Sequence, residues 1–339
     1  MRAKGIAYDT GFVHNGETSR EVFDPDLVRR ELAVIRDDLH CNAVHLVGGD
    51  PERLELAARR AAELGLEVWF SPYPLNLTAT EMLALFDDCA RRAERVRRDG
   101  AEVVFVTGVE LTLMARGFVP GDDIAERLDW MLGRPDGLGE RITEVSARLG
   151  DFLEDAVRTV REHFRGKITY ACIPFERVDW ALFDIMSVEL IRSAEVADRF
   201  QEGVRTLVAQ GKPVAITGFG TATWRGSGDR APRSMEIVER DETGRPVRLN
   251  GDYDRDEDGQ AKYLRELLEI FDAEGVDSAF VYLFALHNYP HRPNDPRHDL
   301  DLASIGIVKV LEGRNGDTYP DMPWEPKAAF TALADHYRG

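Results

Sequence analysis

Short apolar runs alternate with longer helical patterns along the whole chain. The helical patterns repeat apolar residues at spacings of three and four, as in residues 26–38 and 51–64. The short runs are apolar throughout, which is typical of strands that are covered on both faces. There are eight such runs, at residues 5–8, 43–47, 68–71, 103–107, 168–173, 185–188, 214–217 and 279–284. Eight repeats of strand and helix predict a (β/α)8 TIM barrel, with an open doubly wound sheet as the alternative.

Two insertions interrupt the regular spacing. Residues 111–149 follow the fourth run, contain several glycines and prolines, and include a predicted short helix at 124–132. Residues 224–258 follow the seventh run and are rich in Gly, Arg and Asp. Because barrels of this type build their active sites at the carboxyl ends of the strands, we expect enlarged loops that shape a site, or alternatively solvated decoration. No linker is evident, so the chain is predicted to be one TIM-barrel domain over residues 1–339.

The charge of the chain narrows the classes of partner. Its 339 residues include 43 Lys+Arg and 61 Asp+Glu, which gives a formal net charge of −18. No basic cluster offsets this charge, so neither a nucleic acid nor an anionic membrane is an expected partner. The three cysteines are scattered, and no apolar run is long enough for a signal peptide or a membrane span. These features predict a cytoplasmic protein.

The ends of the eight predicted strands supply the candidate chemistry. They are Asp9, His45, Tyr73, Glu110, Tyr170 with Cys172, Glu189, Gly218 and His287. Glu110 and Glu189 each follow an apolar strand directly, where a carboxylate is costly to desolvate unless it is paired, hydrogen-bonded or used. The alternative to a catalytic role is a structural ion pair, for example between Glu189 and Arg192.

Two acids at one barrel mouth favour glycosidic chemistry, because protonating a leaving oxygen and stabilising a positive centre require two carboxyls with separated pKa values. The predicted ligand is therefore a carbohydrate or another small molecule. Its predicted contacts are Asp9, His45, Tyr73, Tyr170, Phe219, Trp224, Phe284 and His287. For the aromatic residues, ordinary packing is the alternative, and for His45 it is a buried barrel histidine.

No cofactor or metal is expected. The turn Gly48-Gly49-Asp50-Pro51 lacks the pattern of a nucleotide site and instead indicates the start of a helix. Residues 287–301 are rich in His and Asp, which could form a zinc site. Their prolines favour instead a rigid loop that caps the barrel mouth. Residues 254–259 resemble a calcium loop without its required glutamate, so Asp258 is predicted to cap a helix at 261–273.

The fourth and seventh predicted strands carry a resemblance to a known family. Residues 212–220 read Lys-Pro-Val-Ala-Ile-Thr-Gly-Phe-Gly, and Glu110 ends the fourth predicted strand after Val109. Over nearly its whole length the chain resembles the clan A glycoside hydrolases, and it is similar to actinobacterial proteins often labelled abortive infection proteins. The resemblance implies a retaining (β/α)8 enzyme with Glu110 as acid/base. In that clan the strand-seven motif carries a nucleophilic Glu where this chain has Gly218, and an Asn usually precedes the acid/base.

Glycine cannot form a glycosyl-enzyme intermediate, so ordinary double displacement through residue 218 is excluded. The first interpretation is a glycoside hydrolase-like enzyme acting on a β-glycoside or a related small molecule, with a natural or engineered loss at Gly218. The alternatives are a non-hydrolytic biosynthetic enzyme that uses Glu110 and Glu189 as acid and base, and a non-catalytic ligand-binding barrel. A carboxyl separation of about 5 Å would permit retention, and one of about 6.5–9.5 Å would leave room for an inverting water.

Overall fold

Eight parallel strands close into a barrel in the computed structural model, which describes residues 1–14, 16–133 and 137–339. Each strand pairs with its neighbours in chain order, and the first strand pairs with the last. The barrel strands are β1 (Ala3–Gly11), β2 (Ala43–Gly48), β3 (Glu67–Pro72), β4 (Val103–Val109), β5 (Lys167–Cys172), β6 (Met186–Glu189), β7 (Val214–Phe219) and β8 (Ser278–Val281). The predicted (β/α)8 barrel is confirmed.

Helices separate the strands, and the helix after β2 begins at the predicted turn. The helices are α1 (Pro25–Asp37), α2 (Pro51–Glu63), α3 (Ala79–Arg98), α4 (Leu111–Met114), α5 (Ile124–Leu132), α6 (Leu138–His163), α7 (Ala197–Val208), α8 (Glu257–Glu274) and α9 (Ala328–Arg338). Asp24 and Asp50 accept backbone N–H groups at the starts of α1 and α2. The prediction for α8 is wrong: Asp256, not Asp258, caps it by accepting the N–H of Gly259 at 2.9 Å.

Both insertions lie at the carboxyl ends of the strands. The first contains α4 and α5, and α5 has the predicted bounds; residues 134–136, which the prediction included, lie outside the described residues. The second contains a short antiparallel pair, Val238–Arg240 with Pro246–Leu249. Its side chains Trp224, Ile237 and Leu249 belong to one apolar cluster with Ala7 and Val47 of the barrel. This loop therefore packs onto the barrel instead of lying free in solvent.

Two apolar layers surround the ring of strands. Inside the ring, Trp69 packs against Phe280 with ring centroids 4.7 Å apart, together with Val104 and Ala215. Outside the ring, a larger cluster joins the strands to the helices. The alternation of side chains along each strand assigns each residue to one layer or the other. Only residues at the strand ends are left to form the mouth.

Buried ion pairs connect the loop at residues 287–301 to the rest of the chain. Lys327 and Asp301 are both buried, and Nζ lies 2.9 Å from Oδ1. Arg255 contacts Asp301 at 2.8 Å and Asp299 at 2.9 Å, and His291 contacts Asp299 at 3.0 Å. The acids of this loop thus have basic partners, and the loop packs against the barrel.

No helix in the described part of the chain is both long enough and apolar enough to cross a membrane.

We expect Lys327→Met to lower the free energy of unfolding by about 3 kcal/mol, because it leaves a buried carboxylate of Asp301 without one of its two cations. Denaturant unfolding measures this loss. The matched control is Lys309→Met, in which the half-buried Glu257 loses a cation. The expected change in its free energy of unfolding is below about 1 kcal/mol. Equal losses in the two variants would contradict a special role for the buried pair.

Candidate active site

An irregular end to β4 positions Glu110. The pairing of β4 with β5 shifts register between Val106 and Val109, and Gly108 has a φ of 98°. Glu110 itself has a φ of 47°, in the left-handed region that is uncommon for residues other than glycine. Its N–H donates to the carbonyl of Ala171 at 2.9 Å. Such bulges redirect a side chain at the rim of a barrel, and here the redirected side chain is a half-buried carboxyl.

Glu189 ends β6, two barrel strands from Glu110, and lies opposite Gly218 of β7. A Cβ atom built on Gly218 would lie 2.8 Å from the carboxyl carbon of Glu189 and closer still to Oε2. The Glu189 carboxyl group therefore fills the space into which a side chain of residue 218 would project. The alternative ion pair with Arg192 is wrong, because the Arg192 guanidinium donates to Glu266.

Hydrogen bonds to Tyr263 hold the loop that follows Glu189. The N–H of Arg192 donates to the hydroxyl of Tyr263 at 2.9 Å, and that hydroxyl donates to the carbonyl of Arg192 at 2.8 Å. Tyr263 belongs to α8, so a buried helix holds the backbone close to Glu189.

The two carboxyls are close enough for the pKa of Glu110 to depend on Glu189. Burial raises the pKa of Glu189 to about 7, and the neighbouring Thr217 hydroxyl opposes part of this rise. Burial also raises the pKa of Glu110 well above its usual range, and the negative charges of Glu189 and Glu176 raise it further. Within the described residues, no cation contacts either carboxyl. Both carboxyls therefore favour the protonated form more strongly than an exposed glutamate does.

Three half-buried aromatic rings lie beside the carboxyl pair. The ring centroid of Phe12 is 5.0 Å from that of Tyr73 and 6.5 Å from that of Tyr282. Burial raises the pKa of Tyr73, and the charges of Glu110 and Glu189 raise it further. The same two charges contribute to the raised pKa of Tyr282. These rings offer flat apolar faces and phenol hydroxyls next to the acids, a combination suited to a sugar ring.

The charge of Arg20 acts on both Asp9 and His287. Asp9 accepts the N–H of Gly11 at 2.6 Å and the hydroxyl of Ser19 at 2.7 Å, and burial raises its pKa to about 6. Burial and the charge of Arg20 lower the pKa of His287, so this imidazole is neutral at physiological pH. Arg20 itself is buried and pairs with Glu31 at 2.8 Å. The Arg20 guanidinium therefore pairs with Glu31 instead of with Glu110 or Glu189.

Comparison with known proteins identifies the fold. No protein-family model and no curated protein sequence matches the chain. Among solved structures, a GH113 β-1,4-mannanase is similar with a TM-score of 0.63 and 14% identity over 99% of both chains. The GH113 β-mannanase of Alicyclobacillus acidocaldarius gives 0.58 and 15%, over 99% of this chain and 97% of that one. The chain has the fold of the glycoside hydrolase barrels. A β-glucuronidase of Parabacteroides merdae gives 0.57 and 13%, over 99% of this chain and 36% of that one.

Not every residue predicted at the mouth of this barrel is found there. His45 lies inside the ring of strands with Trp69 and Phe280. Its Nδ1 lies 3.2 Å from the carbonyl oxygen of Thr217, and burial lowers its pKa to about 4. His45 is therefore a neutral core histidine beneath Glu189 and Gly218.

Three predicted aromatic contacts point outward, between strands and helices. Tyr170 donates to Glu176 at 2.9 Å; Phe219 packs against Phe271 of α8; and Phe284 packs against Trp324. Cys172 belongs to the same outer cluster. Alternate residues of a strand face opposite sides, so a position near a strand end is not enough to place a side chain in the mouth.

Trp224 belongs to the loop layer above the barrel. Its Nε1 donates to the carbonyl of Ser234 at 2.8 Å, and its ring lies 5.6 Å from that of Tyr253. Packing within the loop accounts for both contacts.

Three residues near the acids were missed from the sequence. Phe12 follows β1, which is longer than the apolar run that predicted it, and Tyr282 follows β8, which ends earlier than predicted. Glu176 accepts N–H or O–H groups from Thr112, Tyr170 and Ile173 and raises the pKa of Glu110. An acid shortly after an apolar strand was the signal used for Glu110, and it applies to Glu176 as well.

We expect Glu189→Gln to stabilise the protein increasingly as pH rises. Because the folded pKa of about 7 exceeds the ordinary value of 4.5, the native state binds the proton more tightly than the unfolded chain. Ionisation of Glu189 therefore lowers stability as pH rises from about 4.5 to about 7, and the variant avoids this loss. The expected gain at about pH 8 is about 2 kcal/mol, with little gain at about pH 5.

Denaturant unfolding at both pH values measures this difference. The control Glu266→Gln, which removes the partly exposed partner of Arg192, is expected to change stability by less than about 1 kcal/mol. A gain for Glu189→Gln that does not depend on pH would contradict the raised pKa.

Proposed function

We propose that the chain is a glycoside hydrolase-like enzyme that cleaves a β-glycoside at the barrel mouth, with Glu110 as its general acid. The observation that carries this proposal is the pair of neighbouring carboxyls, Glu110 and Glu189, which no cation contacts within the described residues. A departing glycosidic oxygen needs a proton, and an acid can deliver it near neutral pH only if its own pKa is raised. Burial and neighbouring negative charges give Glu110 this property.

The surroundings of the pair support a sugar ligand. Phe12, Tyr73 and Tyr282 provide aromatic faces, and Asp9 provides a carboxyl whose charge acts on Tyr282. The similar structures are a β-1,4-mannanase and a β-glucuronidase, so β-mannosides and β-glucuronides are the first substrate classes to compare. A few polar groups among apolar surfaces are typical of sites for small molecules.

A non-catalytic ligand-binding barrel is the second candidate, and Gly218 favours it because glycine removes the nucleophile that the family resemblance implies. Such a barrel binds sugars without turnover, and its affinity is insensitive to Glu110→Gln. A non-hydrolytic enzyme using Glu110 and Glu189 as acid and base consumes the glycoside without releasing the free sugar. Product analysis by mass spectrometry separates these cases from hydrolysis.

We expect Glu110→Gln to lower kcat/KM by about 10²–10⁴-fold on a glycoside with a poor leaving group, because that oxygen then departs without a proton. On a dinitrophenyl glycoside, whose leaving group needs no proton, the expected loss is below about tenfold. Steady-state kinetics on both substrates measure the contrast, and Glu266→Gln is the control for folding. An equal loss on the two substrates would argue against Glu110 as the acid.

We expect neutral glycosides to be preferred over uronides. In the described part of the chain no cation contacts the carboxyl pair, so a substrate carboxylate placed beside the pair would be repelled by it, at a cost of several kcal/mol. The expected kcat/KM for an aryl β-glucuronide is therefore at least about 100-fold below that for its methyl ester. The ester is the matched control because it has nearly the same shape without the charge. A faster reaction of the free acid would refute this account of the site.

A further inference from the structure

We propose that Phe12, which a short hairpin after β1 presents to the mouth, is a platform for the apolar face of a sugar ring, and that Asp9 is the positioning residue that holds it there. This inference rests on the proposed function and adds to it a residue that determines sugar affinity. It gives Asp9 a role other than the sugar contact predicted from the sequence.

The ring of Phe12 lies near aromatic residues from two separate strand ends. Tyr73 follows β3 and Tyr282 follows β8, and β1 and β2 lie between these two strands in the barrel. The ring centroid of Phe12 is 5.0 Å from that of Tyr73 and 6.5 Å from that of Tyr282. Tyr73 packs against the apolar cluster inside the ring of strands. A ring that contacts both tyrosines therefore lies above the inside of the barrel and not above the outer helices.

A short hairpin begins at Phe12. In it, Val13–His14 pairs antiparallel with Glu17–Thr18. Phe12 and Ser19 flank this pair: the N–H of Ser19 donates to the carbonyl of Phe12 at 2.9 Å, and the N–H of Phe12 donates to the hydroxyl of Ser19 at 2.8 Å. Because a two-stranded hairpin is at best marginally stable by itself in water, its position depends on contacts with the barrel.

Asp9 supplies such a contact from the end of β1. Its Oδ2 accepts the hydroxyl of Ser19 at 2.7 Å, and its Oδ1 accepts the N–H of Gly11 at 2.6 Å. Both oxygens of the carboxyl thus have donors within the chain, and the residue is only 1% exposed, which leaves a sugar hydroxyl little access to it. The Ser19 hydroxyl connects this carboxyl to the backbone of Phe12. Asp9 therefore acts on the ring through two hydrogen bonds in series.

Two arginines hold the chain where the hairpin ends. Arg53 of α2 donates to the carbonyl of Arg20 at 2.6 Å, and the guanidinium of Arg20 donates to the carbonyl of Asp9 at 3.1 Å. These bonds return the chain to the barrel directly after Ser19. The hydrogen bond between Ser19 and Asp9 then holds the end of the hairpin that carries Phe12.

The chemistry of the platform suits the face of a neutral sugar. The half-buried ring of Phe12 has no polar group, so it gains free energy when an apolar surface covers it. The C–H groups on one face of a pyranose ring provide such a surface. The phenol hydroxyls of Tyr73 and Tyr282 can pair with sugar hydroxyls beside it. Because this contact does not depend on the reaction, its loss raises KM more than it lowers kcat.

Steady-state kinetics on neutral 4-nitrophenyl β-glycosides, beginning with the β-mannoside, test the platform. Phe12→Ala is expected to raise KM about tenfold or more while kcat changes less than about threefold. Phe12→Tyr keeps the flat ring and is expected to raise KM less than Phe12→Ala does. The matched control is Val13→Ala, which changes an exposed neighbour in the same hairpin and is expected to stay within about twofold of the parent. An unchanged KM for Phe12→Ala overturns the platform while leaving the proposed function intact.

Inhibition by the methyl β-glycoside of the same sugar shows which part of the substrate Phe12 contacts. Its Ki is expected to rise in Phe12→Ala by as much as the KM of the aryl glycoside, because the two compounds share the sugar. An effect confined to the aryl glycoside would place the aglycone on Phe12 and overturn the sugar platform. A folded parent that hydrolyses none of the neutral β-glycosides contradicts the proposed function, and the inference fails with it.

Double variants test the positioning role of Asp9. Asp9→Ala is expected to raise KM in the parent, but by less than about twofold when Phe12→Ala is already present, because the ring through which it acts is then missing. Asp9→Asn can still accept from Gly11 and contact Ser19, so it is expected to raise KM less than Asp9→Ala. A loss from Asp9→Ala that persists in full without the Phe12 ring would indicate a direct sugar contact and overturn the positioning role. If Asp9→Ala does not fold, Ser19→Ala provides the same comparison.

Hydrogen exchange of the free protein provides a measurement that needs no substrate. Ser19→Ala removes the acceptor of the Phe12 N–H, so exchange at that amide is expected to become at least about tenfold faster, with the amides of β1 unchanged. Unchanged exchange at Phe12 in Ser19→Ala would contradict the hydrogen bonds through which Asp9 acts on the ring.

Discussion

The absence of a side chain at residue 218 is the constraint on which the candidate site depends. The carboxyl group of Glu189 extends from β6 into the space that a side chain on β7 would occupy, and a Cβ atom at that position would overlap it. In a closed barrel, neighbouring strands are only about 4.8 Å apart, so the side chain of one strand end can reach the position of the next. The identity of residue 218 therefore determines where the second acid of the mouth lies.

Placing Glu189 near Glu110 has an electrostatic cost. Two carboxyls without a cation in contact are expensive to ionise together, which is why their pKa values rise. Arg20 is a buried cation of the β1 loop, but Glu31 and Tyr8 engage its guanidinium. A guanidinium in contact with Glu110 would stabilise the carboxylate and lower its pKa, and the acid would lose its proton at neutral pH. Keeping Arg20 engaged elsewhere preserves that acid.

Much of the fold could be predicted because its signals are local. Apolar runs, helical periodicity and capping aspartates such as Asp50 each act within a few residues, and eight repeats of one pattern leave few architectures. The site could be predicted only in part. Acids directly after apolar strands identified Glu110 and Glu189, but the direction of a side chain at a strand end depends on register shifts, such as that between Val106 and Val109. Tyr170 and Phe219 were misplaced because side chains alternate along each strand, and both face the helices.

The contact between Glu189 and the space above Gly218 could not be predicted at all, because it depends on the distance between two strands and not on either sequence pattern. The fold and the positions of the site residues are therefore determined by different features of the chain. The barrel shared with the mannanase at 14% identity determines that eight strand ends meet at one mouth. It does not determine which strand supplies a carboxylate, nor how deep that group lies. The chemistry that the mouth can support therefore depends on single residues at the strand ends, such as Gly218, which the fold leaves free to change.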